Sequence, residues 1–165
     1  MTPLTTVGWR EWLALPGLGI AAIKAKIDTG ARTSALHAFD LEPYQRRGHQ
    51  RLRFGVHPFQ GRDDVAVACD ALLVDRRCVR DSGGRSHTRW VIVTPVALQG
   101  EPWPIEITLT DRSAMGFRML LGRTAVAGRC LVDPRGSFLA SRPPATPSVI
   151  SPSTAPPSSR TGVKP

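Results

Sequence analysis

Cysteine is scarce: Cys69, Cys78 and Cys130 are the only three in 165 residues. The count is odd and no pair is spaced Cys-x-x-Cys, which argues against a disulfide framework and fits a reducing cytoplasm. Histidine is also sparse. None of His37, His49, His57 and His87 is four residues from another, so the His-Glu-x-x-His pattern of a catalytic zinc helix is absent. No Gly-x-x-x-x-Gly-Lys-[Ser/Thr] loop is present to cradle the phosphates of ATP. No run approaches the ~18 apolar residues of a membrane span, and no basic-then-apolar leader opens the chain. Acidic residues are outnumbered, 13 against 22 basic, for a net charge of +9. The arginines are scattered (Arg46, Arg47, Arg51, Arg53, Arg76, Arg77) and few aromatics lie among them. Neither a basic helical face nor an RNA-binding signature emerges, so the charge reads as solvated and nucleic acid is not an expected partner. These absences predict a soluble, cytoplasmic protein with no membrane contact.

What is present is a core and many short strands. Hydrophobic residues make up 41% of the chain, enough for one domain of this size. Residues 20–27 alternate, with Ile23, Ala25 and Ile27 on one face and Lys24 and Lys26 on the other. Trp9 to Leu15 is a short mixed run, and Pro16-Gly17-Leu18-Gly19 supplies a turn before Ile20. Further strands are expected at 34–41, 52–56, 64–75, 90–98, 104–110 and 119–121, with a closing edge strand at 137–140. Only Arg123 to Ala127 invites a helix, one or two turns long. The pattern predicts a mainly β domain, a barrel or a sandwich, over residues 7–141. Trp9, Trp12, Trp90 and Trp103 read as core or barrel-rim residues. Residues 142–165 change character: from Pro143 onward seven of 23 residues are Pro and none is acidic. Such a segment buries too little apolar surface to offset its ordering entropy and is expected to be a disordered tail.

One motif carries chemistry. Ile27-Asp28-Thr29-Gly30-Ala31 puts a carboxylate at the end of an apolar strand, on a loop whose Gly lets the backbone turn sharply. Two such carboxylates about 3 Å apart cannot both ionise, so they share a proton. One then draws a proton from water while the other protonates the scissile carbonyl. Asp28 is thus the candidate catalytic residue, with Thr29, Gly30 and Ala31 supporting it. About 90 residues downstream, Leu120-Leu121-Gly122 ends an apolar run before the short helix. An Asp-Thr-Gly strand end alone is also an ordinary turn; the second segment adds specificity.

The runs from Ala25 to His37, from Thr108 to Arg112 and from Met119 to Arg123 closely resemble a bacterial and archaeal family of retropepsin-like aspartic proteases. Its members usually carry the label "ATP-dependent zinc protease". The resemblance implies a single-lobe acid-protease barrel, closed, with a flap hairpin and one short helix. It places the catalytic residue on Asp28 and sets Leu120, Leu121 and Gly122 beside it. It also implies a functional link to an ATP-grasp ligase that adds glutamate to a ribosomal protein. The zinc and ATP of the label find no matching residues in the chain, so no cofactor and no metal ligand is expected.

Asp81-Ser82-Gly83 offers a second Asp, but polar residues, not an apolar strand, precede it. Residues 76–89 read instead as an exposed hairpin tip, the flap, with Asp81, Ser82, Gly83, Gly84 and Arg85 at its end. The second carboxylate is then expected from Asp28 of another copy, in a C2 homodimer acting on a peptide or protein substrate. Arg32 beside the loop is open to three readings: solvated, neutralising Asp28, or touching substrate. Fold does not fix function, so two classes stand side by side. One is an aspartic endopeptidase cleaving peptide or glutamate-type amide bonds. The other is a catalytically inactive domain of the same fold that binds a peptide or partner.

Overall fold

The computed structural model describes residues 3–80, 83–110 and 116–144. Asp81, Ser82, Asp111, Arg112 and the tail from 145 lie outside them. The strands run β1 (Thr5–Val7), β2 (Arg10–Leu15), β3 (Ile20–Asp28), β4 (Ser34–His37), β5 (Phe39–Arg46) and β6 (His49–Val56). They continue as β7 (Val67–Arg80), β8 (Ser86–Leu98), β9 (Glu101–Thr110), β10 (Met119–Gly122) and β11 (Cys130–Val132). One short helix, α1 (Arg123–Val126), lies between the last two. The domain is mainly β, as its alternating pattern predicts.

Nine strands form one sheet in the order β2-β3-β10-β4-β9-β8-β7-β6-β5. Its closure differs from the expected closed barrel. A single pairing, Ala14 with Ala97, joins β2 to β8 and rings six strands. The other three, β7, β6 and β5, run on past this junction as an open wing. The mixed run at 10–15 is a strand because its alternate residues are buried: Glu11, Leu13 and Leu15 point inward. Its hairpin with β3 turns through Pro16–Leu18 and Gly19, whose φ of 71° suits glycine. The inward set Ile23, Ala25 and Ile27 packs with Leu36, Ile92, Ile107, Leu109 and Met119 in one core.

Three boundaries depart from expectation. The strand expected at 34–41 is two strands, β4 and β5, separated at Ala38 by the bond from its N–H to the Thr110 carbonyl. The hairpin tip is narrower than 76–89, because β7 and β8 stay paired out to Arg80 and Ser86. Residues 137–140 are not a strand. The N–H groups of Leu139 and Ala140 donate to the Glu11 carboxylate, at 2.9 and 3.1 Å, and not to a neighbouring strand.

Glu11 is fully buried and also accepts from the Gly8 N–H (2.7 Å) and the Ser141 hydroxyl (2.6 Å). A buried carboxylate is tolerable only when its lone pairs are filled, and here four donors fill them. The result ties residues 139–141 to β2. Parallel pairing of β1 with β11 adds a second tie between the two ends of the domain. No helix among the described residues is long and apolar enough to cross a membrane.

Candidate active site

Asp28 is the last residue of β3, and its neighbour Ile27 is buried in the core. Strand β10 runs parallel to β3, pairing Leu120 with Lys26, Leu121 with Ile27 and Gly122 with Asp28. The apolar Leu-Leu-Gly segment thus delivers the chain to the same point as the Asp-Thr-Gly loop. On its other side β10 pairs antiparallel with β4, Leu120 opposite Ala35. Leu121 is buried and Leu120 half-buried.

The carboxylate is oriented by its own loop. Its Oδ1 accepts the N–H groups of Gly30 (3.1 Å) and Ala31 (3.2 Å), a local turn that Asp forms readily. Both bonds fall on Oδ1. Asp28 is half-buried, while Thr29 and Gly30 are exposed. A Cβ at Gly30 would stand 3.3 Å from Oδ1, so the small residue keeps the carboxylate unhindered.

A second layer holds the loop. The Arg123 and Thr124 N–H groups donate to the carbonyls of Ala31 (2.7 Å) and Arg32 (3.1 Å). The Thr124 hydroxyl also reaches the Arg32 carbonyl (2.8 Å), and Arg123 Nη1 reaches that of Thr29 (3.1 Å). Buried Ser34 accepts the Gly122 N–H on its hydroxyl (3.0 Å). Gly122 is demanded by space: a Cβ there would lie 2.5 Å from the Thr33 carbonyl carbon. The Trp103 Nε1–H donates to the Ala125 carbonyl (3.2 Å) and fixes α1 from behind. Ser34, Arg123 and Thr124 were not anticipated; their nearness to the two motifs was the one available signal.

The hairpin of β7 and β8 is the segment expected to carry the flap. Gly83, Gly84 and Arg85 make its exposed turn, with Gly84 at a φ of 80°; Asp81 and Ser82 lie outside the described residues. Lower on the same hairpin, Arg77 shares a cleft of about 290 Å³ with Arg32, Thr33, Glu106 and Thr124. The cleft is therefore shared by β7 and the loop that follows Asp28.

The histidines do not form a metal centre. His37 is buried in β4, His57 stacks on Phe39 in the wing at 4.4 Å, and His49 and His87 sit on other strands. Among the described residues no three His, Cys, Asp or Glu side chains converge. The donors among the described residues thus do not fit the zinc of the family label.

Residues 6–143 match the family described as RimB-like, "Retropepsin-like aspartic endopeptidase RimB". The chain belongs to this family. A relative from Parasynechococcus marenigrum (strain WH8102), named "Probable alpha-L-glutamate ligase", is 50% identical over 137 residues, which is 83% of this chain. One of the same name from Shewanella pealeana is 46% identical over 132 residues, 80% of this chain. The match spans 29% of each of those proteins, so the RimB-like chain corresponds to less than a third of its curated relatives. A solved structure of a Legionella pneumophila protein of unknown function is similar with a TM-score of 0.71 and 25% identity. That similarity covers 83% of this chain and 98% of the other.

Proposed function

We propose that this RimB-like chain hydrolyses peptide bonds, or the amide links that a glutamate ligase forms, through a water activated by two Asp28 carboxylates in a homodimer. The observation that carries this reading is the presentation of Asp28. It stands at a strand end against Gly122, with Oδ1 held by two loop amides and neither bond on Oδ2. A single carboxylate cannot be base and acid at once. Two facing copies can, because close carboxylates share one proton and titrate as a pair. The Thr29 hydroxyl is exposed and bonds no described residue, which supports a role against the second loop across the symmetry axis.

In this mechanism the ionised Asp28 removes a proton from water, and the protonated Asp28 of the second copy donates to the carbonyl oxygen. The resulting tetrahedral diol collapses: the amine leaves with the proton that the first Asp28 took from water, and a diol hydroxyl returns a proton to the second Asp28. The flap hairpin closes over the cleft and limits competing water. The name borne by the relatives supports the choice of a glutamyl amide among substrates, since a hydrolase beside a ligase reverses its product. More than two thirds of each relative lies outside the match, which leaves room there for ligase chemistry.

The test measures hydrolysis of a glutamate-rich peptide by the wild type and Asp28→Asn, with sedimentation to give the oligomeric state. A dimeric wild type inhibited by a statine-type compound, with no turnover in the variant, supports the proposal. Full turnover in Asp28→Asn, or loss of activity on adding a chelator alone, overturns it. A monomeric wild type that turns over no peptide, and binds it no better or worse than Asp28→Asn does, would favour the inactive binding domain instead.

A further inference from the structure

We infer that Arg32 and Arg77 form an anionic subsite that selects a carboxylate side chain within about four residues of the bond cleaved. This rests on the hydrolase reading above and adds the residues that would set its specificity. The first observation is the cleft itself, walled by Arg32 and Thr33 from the Asp28 loop and by Arg77 from the flap strand. Pro104 to Glu106 of β9 and Thr124 of α1 also line it. Its Arg32 wall stands within about 14 Å of Asp28, the most that four residues of chain can reach. An extended substrate advances about 3.4 Å per residue, which sets the span of about four residues.

The second observation is how the two arginines are held, Arg32 by its backbone and Arg77 by its guanidinium. The Arg32 backbone is pinned through its carbonyl by the Thr124 N–H and hydroxyl, at 3.1 and 2.8 Å. Its side chain is exposed and makes no hydrogen bond or ion pair with any described residue. Arg77 is oriented from one side by Asp75, which accepts from its Nε at 2.7 Å. From the other side Glu106 stands 3.6 Å from Nη2, too far for a full hydrogen bond. Two cations thus stand at the cleft beside two carboxylates: Asp75 is closely paired with Arg77, Glu106 is only loosely engaged, and Arg32 pairs with neither. A substrate carboxylate entering there meets planar donors suited to two-point contact. It competes with the loosely held Glu106 for Arg77, which Asp75 keeps in place, and gives Arg32 a partner that no described residue supplies. An ordinary solvated arginine needs neither a fixed backbone nor a second cation across a cleft.

The probes are two matched peptides, one with glutamate at every position within four residues of the scissile bond and one with glutamine there. The wild type should cleave the glutamate peptide about five- to tenfold faster in kcat/KM, an advantage sized for half-exposed charges and residing mainly in KM. Salt should shrink the ratio. Arg32→Met should bring the ratio close to one, Arg77→Met should lower it, and Arg32→Lys should restore part of it. Arg32 is exposed, so its replacement leaves folding intact. A ratio unmoved by both methionine variants overturns the subsite while leaving the hydrolase reading in place. Binding of the same peptides to Asp28→Asn, measured by fluorescence anisotropy, separates the two ideas. Glutamate-selective binding that depends on Arg32, without any turnover by the wild type, upholds the subsite and removes the hydrolase. Binding with no selectivity overturns the subsite.

Discussion

Two carboxylates in this domain have opposite surroundings. Glu11 is fully buried and takes four donors, from Gly8, Leu139, Ala140 and Ser141. Asp28 is half-buried and takes two, both from its own loop and both on Oδ1. The first is saturated, with no lone pair to spare for water or substrate, and its work is to hold chain segments together. The second is oriented yet unsaturated, which is what a proton-transfer group needs. Burial and bond count alone would have ranked Glu11 as the more important residue; the unused oxygen is what makes Asp28 the candidate.

The comparison can be broken most severely at Asp28. Asp28→Asn should lower turnover by about 10³-fold or more while the melting temperature stays close to wild type. A large loss of stability would mean that Asp28, too, is a structural carboxylate. Glu11→Ala should do the reverse, destabilising by about 3 kcal/mol as buried amides lose their acceptor. Denaturant unfolding measures this, and an unchanged midpoint would remove Glu11 from its assigned role. Between these extremes, Gly122→Ala should cost about 2 kcal/mol, because its Cβ meets the backbone of Thr33. It should also reduce turnover, since Gly122 pairs with Asp28 itself.

The smallest effects belong to the wing. Burial works to raise the pKa of Asp70, but hydrogen bonds from Tyr44 and Arg51 outweigh it and hold the carboxyl below its ordinary value. A carboxyl held low in the folded state stabilises above its unfolded pKa, about 3.9. That contribution disappears as pH falls through the lower folded value. Asp70→Asn should therefore flatten the acid side of the stability profile slightly, as fits a half-exposed cluster. Thiol labelling gives a separate check of the packing. Burial pushes the Cys69 thiol up to about 11, so at pH 8 it stays protonated and slow. Exposed Cys78 should label first, and equal rates would contradict the buried position of Cys69.

Much of the site was legible before the fold was known. The alternation of residues 20–27 gave the buried face of β3, and the Asp-Thr-Gly and Leu-Leu-Gly runs marked the two segments that meet at its end. Local pattern suffices there because side-chain period and turn chemistry act over a few residues. The wing was only partly legible. β7 and β8 extend past Asp75 and before Trp90 through exposed arginines, where strand pairing, not apolar alternation, maintains the ladder.

The chain's own order of residues determined which group could carry chemistry, Asp28, and placed a small residue, Gly30, beside it. Only the tertiary structure decided what supports it. Gly122 faces Asp28 across 94 residues of sequence, and Thr124 grips Arg32 across 92. It likewise turned residues 137–140 away from a strand, because a carboxylate 128 residues earlier offered their amides a better partner. Such pairings depend on which backbone groups find each other once the core has formed, and no local pattern encodes them.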